Sequence, residues 1–178
     1  MARASIIVFS ETGFTRTYAR WIAEETGVGI LELGGILHGG NWSEGDLVLV
    51  GVPVHGGELS QAKRVRSVIS AANGARIICF ATGLSEPDED VVRRVKAASG
   101  IPEDVPLHYF PGGFSKDRLS PANRTMITLY RTMMKHQRNA ASNAELLLER
   151  TSHDGDYTDR GLIGPLVDEV RAFLGEAK

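Results

Sequence analysis

The chain has 178 residues, 42% of them apolar and 24% charged, the make-up of one ordinary globular domain with a sizeable core rather than of a disordered chain. Twenty Lys/Arg against 22 Asp/Glu give a formal charge of −2, so no global positive field gathers nucleic acid. A single cysteine, Cys79, excludes an internal disulfide, an iron–sulfur cluster and a thiolate zinc site, and suits a reducing compartment.

Met1-Ala2-Arg3-Ala4-Ser5 runs straight into a short apolar stretch with no longer h-region, so export is not expected and a cytoplasmic location is. No window approaches the run of about 18 apolar residues that a membrane-crossing helix needs. Ile6-Ile7-Val8-Phe9 lacks polar alternation and reads as a strand buried on both faces of a parallel sheet. After a polar break at residues 10–15, Tyr18, Ala19, Trp21, Ile22 and Ala23 fall on one face of a helix that Gly27 ends. Gly29 to Leu33 is a weaker strand, and Gly34-Gly35 with Gly39-Gly40-Asn41 is loop. Leu47 to Val52 repeats the buried-strand signature. Gly56-Gly57 breaks it, and Ser60 is the expected N-cap of a helix burying Ala62, Val65, Val68 and Ile69. Ala75 to Phe80 is the next strand, Pro87-Asp88 starts a helix with Val91, Val92 and Val95 inward, and Pro106 to Phe110 is the last strand. Five strands alternating with helices imply one doubly wound α/β domain over residues 1–178, with a five-stranded parallel sheet in the order 2-1-3-4-5.

The scheme does not require the stretch between Phe110 and a last helix at about Asp159 to Leu174, so residues from about 111 to 155 read as a helical insertion. Within it, Ser120-Pro121 opens a helix whose Met126, Ile127, Tyr130, Met133 and Met134 form an apolar stripe. Lys116 to Arg138 holds six Lys/Arg and one acid, a net +5 that leaves −7 for the rest of the chain. Either the stripe packs on the domain with its charges solvated, or it offers an adaptable apolar surface flanked by cations. A peripheral contact with the inner face of a membrane through Pro121 to His136 is thereby left open.

The strongest chemical signal is Ser10-Glu11-Thr12-Gly13-Phe14-Thr15, between the first strand and the first helix. A phosphate monoester placed there meets hydroxyls from Ser10, Thr12 and Thr15, loop amides and the positive end of a helix dipole. The alternative is that these Ser and Thr residues simply cap the helix. The hexapeptide resembles the phosphate-binding loop of the flavodoxin family, Thr/Ser-x-Thr-Gly-x-Thr. Gly51-Val52-Pro53-Val54-His55-Gly56-Gly57 is similar to the family's second flavin loop, and Ala81-Thr82-Gly83-Leu84 to its third. Tyr109 to Phe114, Lys116 to Ser120 and Asp156-Tyr157-Thr158-Asp159 resemble the branch that includes menaquinone-dependent protoporphyrinogen oxidase.

The resemblance implies a three-layer flavodoxin-like sandwich that binds FMN through Ser10, Glu11, Thr12, Gly13, Phe14, Thr15, Pro53, Val54, His55, Gly56, Gly57, Thr82, Gly83 and Leu84. It implies an oxidoreductase moving electrons or hydride between a small organic donor and a quinone, with porphyrinogen a further candidate substrate and a redox protein a candidate partner. No catalytic acid or base and no metal site is assigned. The alternatives are a non-enzymatic electron carrier, for which −2 is less acidic than such flavodoxins usually are, and a scaffold without flavin. His55 stands where the family often places Tyr or Trp against the flavin ring. An imidazolium facing the ring raises its midpoint potential by charge attraction, whereas a loop histidine facing solvent does nothing. Glu11 and Glu58 read as solvated side chains, Cys79 as a small buried hydrophobe, and Tyr109 and Phe110 as core.

Other users of this topology do not fit. A phosphoacceptor receiver needs clustered carboxylates after the first strand, where Ser10 stands. A cysteine-dependent phosphatase needs an arginine where Ser85 stands. No Gly-Lys-Ser/Thr loop and no Gly-x-Gly-x-x-Gly after a strand is present.

Overall fold

The computed structural model describes residues 3–31, 42–136 and 142–176. The Gly34-Gly35 and Gly39 to Asn41 loop, the end of the second strand beyond Leu31, and Arg138 of the basic segment lie outside the described residues. Strands β1 (Ala4–Val8), β2 (Gly29–Leu31), β3 (Leu47–His55), β5 (Arg76–Gly83) and β6 (Leu107–Pro111) form a parallel sheet in the order β2-β1-β3-β5-β6, and a two-residue strand β4 (Glu58–Leu59) pairs antiparallel with β3. Without that short hairpin strand, the order is the expected 2-1-3-4-5.

Both faces of the sheet are covered because its central strands carry uninterrupted apolar runs, Ile6–Val8, Leu47–Val54 and Ile77–Ala81, that leave no polar face. Leu47 and Leu49 of β3 face α1 (Phe14–Thr26) and α6 (Gly164–Glu176), with Tyr18, Ile22, Leu166 and Val170 in the same core. Val48, Val50 and Val52 face α2 (Ala62–Ser70) and α3 (Glu89–Ser99), with Val65, Val68, Val91 and Val95. Cys79 lies in the second core, where burial pushes its thiol up to about 12, so it is an inert hydrophobe.

Several expected boundaries shift. β3 runs on through Pro53 to His55, because Gly56 and Gly57, at φ 62° and 91°, make the two-residue reverse turn that folds the chain back into β4. β5 continues past Phe80 to Gly83, since Thr82 and Gly83 still pair with Phe110 and Pro111. Ser60 is not an N-cap: its amide donates to the Pro53 carbonyl at 2.9 Å, and Gln61 opens α2 with no side-chain cap. The last helix is preceded by a 3-10 turn, Arg160–Ile163, which Asp159 caps through Gly161 N at 2.8 Å.

The segment after β6 begins and ends in a second, two-stranded sheet, β7 (Gly113–Phe114) with β8 (Gly155–Asp156). Between them lie a 3-10 turn (Lys116–Arg118), α4 (Pro121–His136) and α5 (Ser142–Arg150).

Candidate functional site

Loop Ser10–Gly13 leaves β1 at the C-terminal edge of the sheet and enters α1 at Gly13, the N-cap, whose φ of 99° is left-handed and favours glycine. No side chain caps this helix, and its first turn contains no acid. The only bond from a loop hydroxyl into the helix start is Ser10 Oγ accepting from Gly13 N at 3.1 Å, which shapes the turn. Hydroxyl capping is therefore not what the loop does. An uncapped N-terminus with Ser10 and Thr12 beside it is a donor set for an anion.

Thr15 differs from the other two hydroxyl residues. It is 1% exposed, and its Oγ1 lies 2.7 Å from Thr82 Oγ1. This buried pair joins the first predicted segment to the third. Thr82 and Gly83 are the end of β5, and Gly83 is required by packing, because a Cβ there would sit 3.0 Å from Tyr109 Cζ and closer still to its hydroxyl. That hydroxyl in turn accepts from Ser85 N at 3.1 Å. The second segment lies between the other two: Pro53 is in register with Thr82, and His55 Nε2 is 3.8 Å from Glu11 Oε2. β1, β3 and β5 are neighbours, so the three stretches meet at one edge of the sheet where the strand order reverses, the usual ligand crevice of such sheets.

A family model described as a flavodoxin domain matches residues 5–141. The chain belongs to the flavodoxin domain family. A search of curated proteins finds no significant match. The matched span contains all three segments of this flavodoxin domain's crevice and α4 of its insertion.

The insertion is built into that crevice, which the sequence pattern did not reveal. Glu11 is not a merely solvated side chain: Oε1 accepts from Ser120 N at 2.8 Å and Oε2 from Asn123 Nδ2 at 2.6 Å, both at the start of α4. Partial burial pushes its carboxyl up, but these bonds and the nearby His55 outweigh that and leave it below the ordinary range. Arg118 Nη1 donates to the Thr12 carbonyl at 3.1 Å. On the other side, Arg150 Nη1 donates to the Leu84 carbonyl at 2.8 Å, its Nη2 pairs with Glu86, and the guanidinium lies 4.6 Å over the Tyr157 ring. Tyr157 N donates to the Gly112 carbonyl at 2.9 Å. The bonds that Glu11, Arg118 and the Arg150 guanidinium make between crevice loops and insertion join residues more than 60 apart along the chain, so no local motif announces them.

Helix α4 leaves part of its apolar surface uncovered. Met126, Leu129 and Met133 are 42%, 60% and 56% exposed. Its arginines are bonded to carbonyls: Arg124, itself exposed, donates to those of Leu119 and Asp117 in the preceding turn at 3.0 and 2.8 Å, and the half-buried Arg131 to that of Thr151. The predicted stripe is therefore split: Ile127 and Tyr130 are half-buried, whereas Met126 and Met133 face outward as the alternative of an exposed apolar surface requires. No described helix is long and apolar enough to cross a membrane.

His55 is half-buried, and burial lowers its pKa against a smaller upward pull from Glu11. The folded state holds the ring neutral where the unfolded chain would bind a proton. This contribution is fully present above the ordinary value of 6.5 and is lost as pH falls from there through the lower folded pKa. Any effect of an imidazolium on a neighbouring cofactor is confined to the same acid side. Thermal melts at pH 7.5 and pH 5 should show a larger acid loss for wild type than for His55→Gln, and equal losses would mean that His55 is not held neutral.

Proposed function

We propose that this flavodoxin domain binds FMN at the C-terminal edge of its sheet and passes electrons or hydride from a small organic donor to a quinone. The observation that carries the reading is the uncapped, acid-free N-terminus of α1 beneath Ser10, Thr12 and Gly13, which meets the needs of a phosphate monoester. Ser10 and Thr12 hydroxyls and the amides opening α1 would hold the phosphate, with Pro53 to Gly57 and Thr82 to Leu84 flanking the ring. The buried Thr15–Thr82 pair serves by fixing the first segment against the third. Bound flavin supplies the hydride and electron chemistry, while the protein supplies position and electrostatics.

Quinone reduction is favoured over protein-to-protein electron carriage by what frames the crevice. Arg118 brings a basic insertion residue that forms no ion pair among the described residues against its first segment, where a carrier recognised through acidic surface would present carboxylates. The likeness of Tyr109 to Phe114 and Asp156 to Asp159 to the protoporphyrinogen oxidase branch supports the same class of reaction, and porphyrinogen remains a substrate to be tried.

Purified protein incubated with FMN and freed of excess by gel filtration should co-elute with absorbance bands near 375 and 450 nm, about the positions of free flavin. A colourless protein would sink the FMN reading. Photoreduced, FMN-loaded protein should then be reoxidised anaerobically by a water-soluble quinone. Failure of that second step, with efficient reoxidation by a one-electron acceptor protein, would favour the carrier.

A further inference from the structure

Arg118 stands at the junction of the insertion and the first crevice loop. Its Nη1 is 3.1 Å from the Thr12 carbonyl, and a Cβ placed on Gly13 would be 3.6 Å from the same nitrogen. The guanidinium therefore lies against the two residues that lead into the uncapped N-terminus of α1. Among the described residues, no carboxylate forms an ion pair with it. One carbonyl engages one of a guanidinium's several N–H groups, and the fork is shaped for bidentate pairing with phosphate oxygens.

The turn that carries Arg118 is braced on every side. Asp154 accepts from Lys116 N at 2.9 Å and from Ser115 Oγ at 3.2 Å. Arg124 ties down the carbonyls on either side, those of Asp117 and Leu119. Glu11, from the crevice loop itself, holds Ser120 N and Asn123. With the backbone of the turn so constrained, only the Arg118 side chain has to order when an anion arrives.

We propose that Arg118 supplies the positive charge that recognises the cofactor's phosphate monoester, making the insertion part of the phosphate site and adding a charge-dependent share to the selection of FMN over riboflavin. The proposal rests on the FMN reading above. Helix-dipole donors and neutral hydroxyls also favour FMN, but a guanidinium adds a full charge, so its share of the preference for the dianion is larger and is screened by salt.

The test is a pair of fluorescence-quench titrations, FMN and riboflavin, on wild type, Arg118→Gln and Arg118→Lys at two salt concentrations. Gln keeps an N–H for the Thr12 carbonyl and removes the charge; Lys keeps the charge. Arg118→Gln should weaken FMN binding about tenfold or more, leave riboflavin unchanged and flatten the salt dependence, while Arg118→Lys stays within about threefold of wild type. Melting curves confirm that each variant is folded, as expected at an exposed turn position, and the wild-type salt dependence of FMN against riboflavin stands should one fail. An unchanged FMN-to-riboflavin ratio in Arg118→Gln, or equal loss in both variants, overturns the proposal while leaving FMN binding intact. Wild type that binds no FMN overturns both.

Discussion

Replacing Gly51 by alanine should destabilise the protein by about 3 kcal/mol, the upper part of the usual cost of overpacking a filled core. For a chain of this length that is a fall in Tm of roughly 6–12 °C. Gly51 lies in the central strand β3, in register with Val8 of β1 and Phe80 of β5. An added Cβ would sit 2.5 Å from Phe80 Cε2, 2.9 Å from Cε1, and closer still to Cζ. Neither partner can yield easily. The strand is bonded on both sides and the Gly51 carbonyl accepts from Phe9 N at 2.8 Å, while the Phe80 ring is fully buried, 6.3 Å from that of Phe110. The Phe80→Leu variant removes the obstacle, so the double variant should lose clearly less than the sum of the two single losses. Additive losses would show that the Phe80 ring is not what excludes a side chain at Gly51.

Ser10→Ala combined with Thr12→Val should lower FMN affinity by about a hundredfold or more. Each hydrogen bond to a charged group contributes about 1.5–3 kcal/mol, which is roughly ten- to a hundredfold in affinity. Riboflavin, lacking the phosphate, should bind both proteins equally weakly. The single Thr12→Val change tests the loop hydroxyl without disturbing the Ser10 Oγ bond to Gly13 N that shapes the turn. Thr15→Val is the informative contrast. Its hydroxyl is joined to Thr82 in the interior, so its loss should appear first in stability, about 1–3 kcal/mol for an unsatisfied buried hydroxyl. If the double variant binds FMN as tightly as wild type, the phosphate is not held at this loop.

These two experiments address different kinds of information. Gly51 and the alternating residues around it belong to the sheet, whose layout followed from sequence because uninterrupted runs such as Leu47 to Val52 leave no polar face and must be covered on both sides. The crevice was also visible, since the hexapeptide, Pro53 to Gly57 and Thr82 to Leu84 each follow such a run, and strand ends in this topology converge. Local readings failed where chemistry alone could not choose between partners. Ser60 has the character of a cap, yet its amide bonds Pro53 because a Gly-Gly turn reverses the chain just before it.

By itself, the sequence determined where the strands and helices lie, the two-sided core and the stretches that follow the central strands, because periodicity and punctuation are local properties. Only the tertiary structure decided what the insertion does with its charges. Glu11 reaches Ser120 and Asn123, Arg118 reaches Thr12, and Arg150 reaches Leu84. Arg124 and Arg131 bond main-chain carbonyls while Met126, Leu129 and Met133 turn out. Helical spacing defines a face but not which way it points, and a long side chain's partner is chosen by whatever unsatisfied carbonyl or carboxylate the fold brings within reach.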